Sequence, residues 1–113
     1  MVVSRNVRCR RFYVDNLNVR GHLTVGMGSF PEGRELLRRH KPGLIIHCQT
    51  GQLIEEPLLA LKQIPGMDDI PLILVHEDDP LPEWLAGYAL ATRIRRPVDA
   101  RRLLDALRPW LPT

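Results

Sequence analysis

The stretch KPGLIIHCQT, residues 41–50, decides the fold. Leu44-Ile45-Ile46, with Gly43 ahead of them, read as a buried strand that stops on His47 and Cys48 before a polar Gln-Thr-Gly loop. A short unbroken apolar run suits a parallel strand covered on both faces, where a half-exposed strand would alternate. Leu72-Ile73-Leu74-Val75 repeats the pattern and ends on His76-Glu77-Asp78-Asp79. Apolar strands that end on reactive side chains often end at a site.

Three further strand candidates flank this pair. Phe12-Tyr13-Val14 runs into Asp15-Asn16, Leu23-Thr24-Val25 follows, and a weaker run from Ala91 to Arg96 alternates Thr, Arg, Ile and Arg. Helical patterns fall between the later strands. Ser29 or Pro31 opens one that reaches His40, with cations in its last turn to suit the helix dipole. Pro57 leads Leu58 to Ile64 before Pro65-Gly66 stops it, and Pro82 leads Glu83 to Tyr88. Pro97-Val98-Asp99 opens Ala100 to Trp110, whose Leu103, Leu104, Leu107 and Leu111 form one apolar stripe, read as core.

Strands alternating with helices of about ten residues imply right-handed βαβ units in a doubly wound, mostly parallel five-stranded sheet. Ligands in such sheets bind beyond the carboxyl ends of the strands. That rim is expected to carry Asp15-Asn16, His47-Cys48 and His76 with the acids that follow it. One irregularity is expected near the start. Asn16 to Gly21 is too short for a helix between the first two strands, so the first helix is read as missing or replaced by a tight turn. An antiparallel hairpin there would leave an apolar patch for a partner to cover.

The 113 residues suffice for one core and are read as a single domain over 1–113. No apolar run approaches the ~20 residues of a membrane span. The first twelve residues hold four arginines and no apolar segment, so no secretory signal is read. Two cysteines, Cys9 and Cys48, make no disulfide framework, which fits a reducing cytoplasm. The net charge is +3, carried by fourteen Arg against two Lys. The arginines cluster, but thirteen acidic residues and only 5% aromatics favour solvated faces and ion pairs over a nucleic-acid groove.

In this order and spacing, KPGLIIHC, DDIPLILVHE and RRPVDARRLLDAL resemble the receiver domains of two-component response regulators, from about Phe12 to Leu111. The resemblance implies a receiver-like (flavodoxin-like) fold. It also implies a phosphorylation site, from which this chain departs. Cys48 stands where the family has its phospho-accepting aspartate, and a thiolate cannot form the acyl phosphate that a carboxylate does. His76 replaces the Thr or Ser that steadies the phosphoryl group. Arg96 replaces the lysine that pairs with it, keeping charge but presenting a planar fork. The acidic pair that holds Mg²⁺ is matched to Asp15 with Asn16, a poor site for an ion that favours carboxylates. The resemblance thus implies a pseudo-receiver: not an enzyme, with no cofactor, acting through another signalling protein, an output domain or a homodimer. The family's signalling surface would fall over about Leu81 to Leu111, with Arg93, Arg95, Arg101, Arg102 and Trp110 as interface candidates. The Pro-Trp-Leu-Pro-Thr ending is where a linker to an output domain would begin, and would serve equally as a terminus.

Two other classes stay open. One is a divergent phospho-receiver with Asp15 or Asp78 as acceptor. The other is a thiol or metal sensor on Cys48 and His76, with Asp15 or Asp78 as further ligand. His47 does not join such a metal set, because neighbouring strand residues point to opposite faces. A Cys48–His76 nucleophile pair lacks any third orienting group. GMGSFPEG, residues 26–33, lacks the spacing of a phosphate loop and is read as a turn. His22 and His40 are read as surface residues and Trp84 as a packing anchor.

Overall fold

The computed structural model describes residues 1–67, 69–77 and 80–111, with Pro31 described for its backbone alone. The strands are β1 (Val2–Val3), β2 (Gly26–Met27), β3 (Ile45–Cys48), β4 (Leu72–His76) and β5 (Thr92–Arg95). They form one fully parallel sheet in the order β2-β1-β3-β4-β5. The helices are α1 (Val7–Val19), α2 (Phe30–Arg39), α3 (Glu56–Lys62) and α4 (Ala100–Leu107), with 3₁₀ turns at Glu83–Gly87 and Arg108–Trp110. The expected doubly wound five-stranded sheet is present, and the two continuous apolar runs lie inside it as β3 and β4.

The start of the chain differs from the expectation. Phe12-Tyr13-Val14 is not a strand; it lies inside α1, and the first strand is Val2–Val3. The first helix is therefore not missing, and no hairpin replaces it. Aromatic and β-branched residues favour strands only where they fit a pleated, half-buried surface. Here spacing decides: Cys9, Tyr13 and Leu17, four residues apart, make one buried stripe of α1. Asn6 caps that helix by accepting the Cys9 N–H at 2.9 Å. Gly21 ends it at φ +86°, its N–H donating to the Asn18 carbonyl at 3.0 Å while the His22 N–H reaches Leu17 at 3.0 Å. That pair of bonds is the Schellman stop, which needs a left-handed residue after the helix. The glycine read as a hairpin turn is a helix terminator. The second strand is also displaced to Gly26–Met27, leaving Leu23 96% exposed.

Two apolar layers cover the sheet. Val3, Ile45, Leu72 and Leu74 face Phe30, Leu37, Leu58, Leu61 and Leu85 under α2, α3 and the first 3₁₀ turn. Val2, Ile46, Ile73, Val75 and Ile94 face Tyr13, Leu17, Leu103 and Leu107 under α1 and α4. Period-two alternation along β3 and β4 feeds both layers, which is why those strands are apolar throughout. The region where an uncovered patch was expected is covered by α1. No helix among the described residues is long and apolar enough to cross a membrane.

Candidate functional site

Because all five strands run the same way, their carboxyl ends meet at one rim. Ser4, Arg5 and Asn6 follow β1, Gly28 and Ser29 follow β2, and Gln49 and Thr50 follow β3. Glu77 follows β4, and Arg96 with Pro97 follows β5. Cys48, His76 and Arg96 lie at this rim. Asp15 and Asn16 do not. They lie on α1 nine residues or more past its cap, about 13 Å along the helix at 1.5 Å per residue. Asp15 is exposed, and the Asn16 side chain donates back to the Phe12 carbonyl at 2.8 Å. The rim positions assigned to them are held by Ser4 and Arg5, neither a carboxylate. Asp15 is thus unavailable as acceptor or metal ligand at the rim, and Asp78 lies outside the described residues.

His47 and Cys48 point into opposite layers. The His47 ring packs 5.1 Å from Phe30, on the α2 and α3 side. Its Nδ1 lies 3.2 Å from the Val3 carbonyl, which can only accept, so Nδ1 carries the proton. Burial pushes its pKa down to about 4, partly offset by that hydrogen bond, so the ring is neutral at pH 7. The ring borders a cavity of about 240 Å³ that Arg5, Ser29, Phe30, Ile54 and Pro57 also line.

Cys48 packs in the α1 and α4 layer, and its sulfur is joined in a disulfide to that of Cys9 on α1. The expectation of two unlinked cysteines is therefore corrected. The sequence conceals the pairing because Cys9 falls just ahead of an apparent strand, whereas in α1 its side chain faces the sheet. Among the described residues no group of three His, Cys, Asp or Glu side chains could hold a metal ion. The Cys48 sulfur, needed for the metal reading, is already bonded.

Arg96 pairs with Glu77 at 3.2 Å. The other Glu77 oxygen accepts the Gly51 N–H at 2.8 Å, so one carboxylate ties the loop after β3 to the segment after β5. Gln49 fixes the same loop from beneath. Its amide donates to the Ile54 carbonyl at 3.1 Å and its oxygen accepts the Ile54 N–H at 3.0 Å. Burial raises the Tyr13 pKa, with the Arg96 charge opposing. His76 is buried at the end of β4, where its carbonyl accepts the Arg96 N–H at 2.8 Å. Cys9 and Ser4-Arg5-Asn6 are the rim residues that sequence reasoning missed. The four-residue spacing of Cys9, Tyr13 and Leu17 was the available signal.

The interface candidates surround the β5 edge. Arg93 and Arg95 are exposed on β5, with neighbours Leu74 and His76 in register. Arg101 and Arg102 are exposed on α4, and Trp110 is 39% exposed beyond it. Arg102 also donates to the Pro97 carbonyl at 2.8 Å. GMGSFPEG is β2 and the start of α2: the Ser29 hydroxyl accepts the Glu32 N–H at 3.3 Å, and Glu32 reaches back to the Gly28 N–H at 3.2 Å.

Comparison with solved structures agrees with this geometry. A response regulator from Desulfuromonas acetoxidans superposes with a TM-score of 0.76 at 21% identity, covering 96% of this chain and 92% of that one. A response regulator receiver modulated diguanylate cyclase from Pelobacter carbinolicus gives 0.72 at 21% identity, over 96% and 91%. A response regulator from Burkholderia multivorans gives 0.69 at 16% identity, over 99% and 94%. No family model and no curated protein matches the sequence. The chain has the fold of response-regulator receiver domains.

Proposed function

We propose that this chain is a pseudo-receiver, a non-enzymatic module that works through protein–protein contacts in cytoplasmic signal transduction or transcriptional regulation. The observation that carries this reading is the state of the rim. The side chain at the acceptor position is a cysteine bonded to Cys9, and the cation that would meet a phosphoryl group is already paired with Glu77. At the acceptor position a phosphoryl donor would meet a sulfur in place of a carboxylate, and at the lysine position a cation engaged by Glu77. The Mg²⁺ positions favour the same reading, since Ser4 and Arg5 replace the acidic pair.

Titration of the amide NMR spectrum with Mg²⁺ and acetyl phosphate tests this. The expected result is no shift focused on Cys48, His76 and Arg96. Shifts centred there would restore the phosphoryl switch and remove the pseudo-receiver reading.

The contact surface in this reading is the β5 edge with α4, where Arg93, Arg95, Arg101, Arg102 and Trp110 offer cations around an aromatic. Arginines along an edge strand discourage pairing with another strand, so the surface suits an acidic partner, an output domain or a salt-bridged homodimer. The double charge reversal Arg93→Glu with Arg101→Glu is the cleaner test, because Arg102 also holds the Pro97 carbonyl. Self-association or partner binding should weaken at least tenfold by sedimentation or pull-down. An unchanged oligomer with unchanged partners would move the interface elsewhere.

A further inference from the structure

We infer that Cys9 and Cys48 form a reversible thiol–disulfide exchange site, with Cys9 as the entering nucleophile and small aliphatic disulfides and thiols as its co-reactants. The inference goes beyond the pseudo-receiver reading and rests on the cysteine pair alone. Access and thiolate character decide how readily a disulfide exchanges with small thiols.

The two cysteines share one buried layer but sit on different elements. Cys9 is the third residue of the 13-residue α1, its N–H held by Asn6, so it sits in the positive end of the helix field. Arg8 lines the same groove as Cys9, between α1 and the segment after β5, where the Arg96 charge is offset by Glu77. Helix N-termini and nearby arginines favour the thiolate, the form that attacks disulfides. Cys9 is also the more accessible of the two, 8% exposed against 2% for Cys48. Cys48 ends β3 beneath it among Ile46, Val75 and Ile94. Entry through Cys9 and resolution by Cys48 follow from charge and access together.

With glutathione disulfide as co-reactant, the Cys9 thiolate attacks one of its sulfurs. The small molecule's S–S bond breaks, one glutathione thiolate leaves and takes up a proton, and a mixed disulfide forms on Cys9. The Cys48 thiol then gives up its proton, attacks the Cys9 sulfur and displaces the second glutathione. Two electrons pass from the cysteine pair to glutathione disulfide, yielding two glutathione thiols, and excess thiol reverses the sequence.

The test uses the full chain in buffers of varied glutathione to glutathione-disulfide ratio. Samples are acid-quenched, alkylated and mapped by mass spectrometry. The Cys9–Cys48 link should form and vanish reversibly across the series. Cys48→Ser should accumulate glutathione on Cys9, whereas Cys9→Ser should be modified at Cys48 at least tenfold more slowly. A pair that stays dithiol at every ratio, or a link that millimolar thiol never opens, overturns the proposal. So does faster or equal modification at Cys48. Should either variant fail to fold, timed alkylation of the reduced wild-type chain decides the same question: Cys9 labels at least tenfold faster, or the assignment fails. No partner or phosphoryl donor is present, so this test reads the cysteine pair alone; Cys48 is no carboxylate in either redox state, and the pseudo-receiver reading stands or falls with the phosphoryl titration.

Discussion

His47 and Cys48 are neighbours on one strand with opposite situations. His47 enters the α2 and α3 layer, where a single hydrogen bond to Val3 and an aromatic neighbour hold it beside a cavity. Cys48 enters the α1 and α4 layer, where a covalent bond fastens it to the first turn of α1. One side of the rim is stapled and the other is held by non-covalent contacts. Within one sheet, the period-two alternation of a strand is enough to give its two faces different chemistry.

The largest effect should come from opening the staple. The disulfide closes 39 residues of chain, and a loop of that length restrains the unfolded state by about 4 kcal/mol in the chain-entropy account. Denaturant unfolding of the oxidised and thiol-reduced protein should differ by an amount of this order. Hydrogen exchange should then rise at the start of α1 and the end of β3, with α2 and α3 little changed. A uniform rise over both layers would break the contrast between them.

Acid should act mainly through the other layer. Unfolded histidine titrates near 6.5, and His47 in the fold near 4, so between these values the unfolded chain binds more protons. The stability this contributes is fully present above pH 6.5 and is lost as pH falls towards 4, about 3 kcal/mol in all. His47→Gln should flatten this part of the unfolding midpoint against pH. An unaltered profile would assign the acid sensitivity to other groups.

The smallest effect compares the two caps nearest the rim. Asn6→Ala and Ser29→Ala each remove one side-chain acceptor from a helix start, worth about 1 kcal/mol. In the oxidised protein Asn6→Ala should cost the less of the two, because the disulfide still holds the first turn of α1. Reduction should bring the costs together. Equal costs in both redox states would show that the staple does not share the cap's work.

How much of this is legible varies along the chain. β3, β4 and α4 are legible because each carries enough apolar residues to show a period: continuous runs for the buried strands, and Leu103 with Leu107 at helical spacing. Val2–Val3 shows no period at all, since two residues cannot alternate. Phe12-Tyr13-Val14 has the composition of a strand, and only the stripe of Cys9, Tyr13 and Leu17 marks it as helix. Reading the first strand there, too late in the chain, assigns Asp15 and Asn16 to a rim they never reach. Cys48 and His76 end the two legible strands, and Arg96 precedes the start of α4.

The sequence by itself determined the parallel α/β sheet and its two central strands, because burial pattern is a local property. Only the tertiary structure decided that Cys9 meets Cys48, that Glu77 meets Arg96 and that β1 is a two-residue strand pairing with β3. Those features join residues 19 to 44 positions apart. The sheet brings them within bonding distance, and no local pattern in the chain records such a meeting.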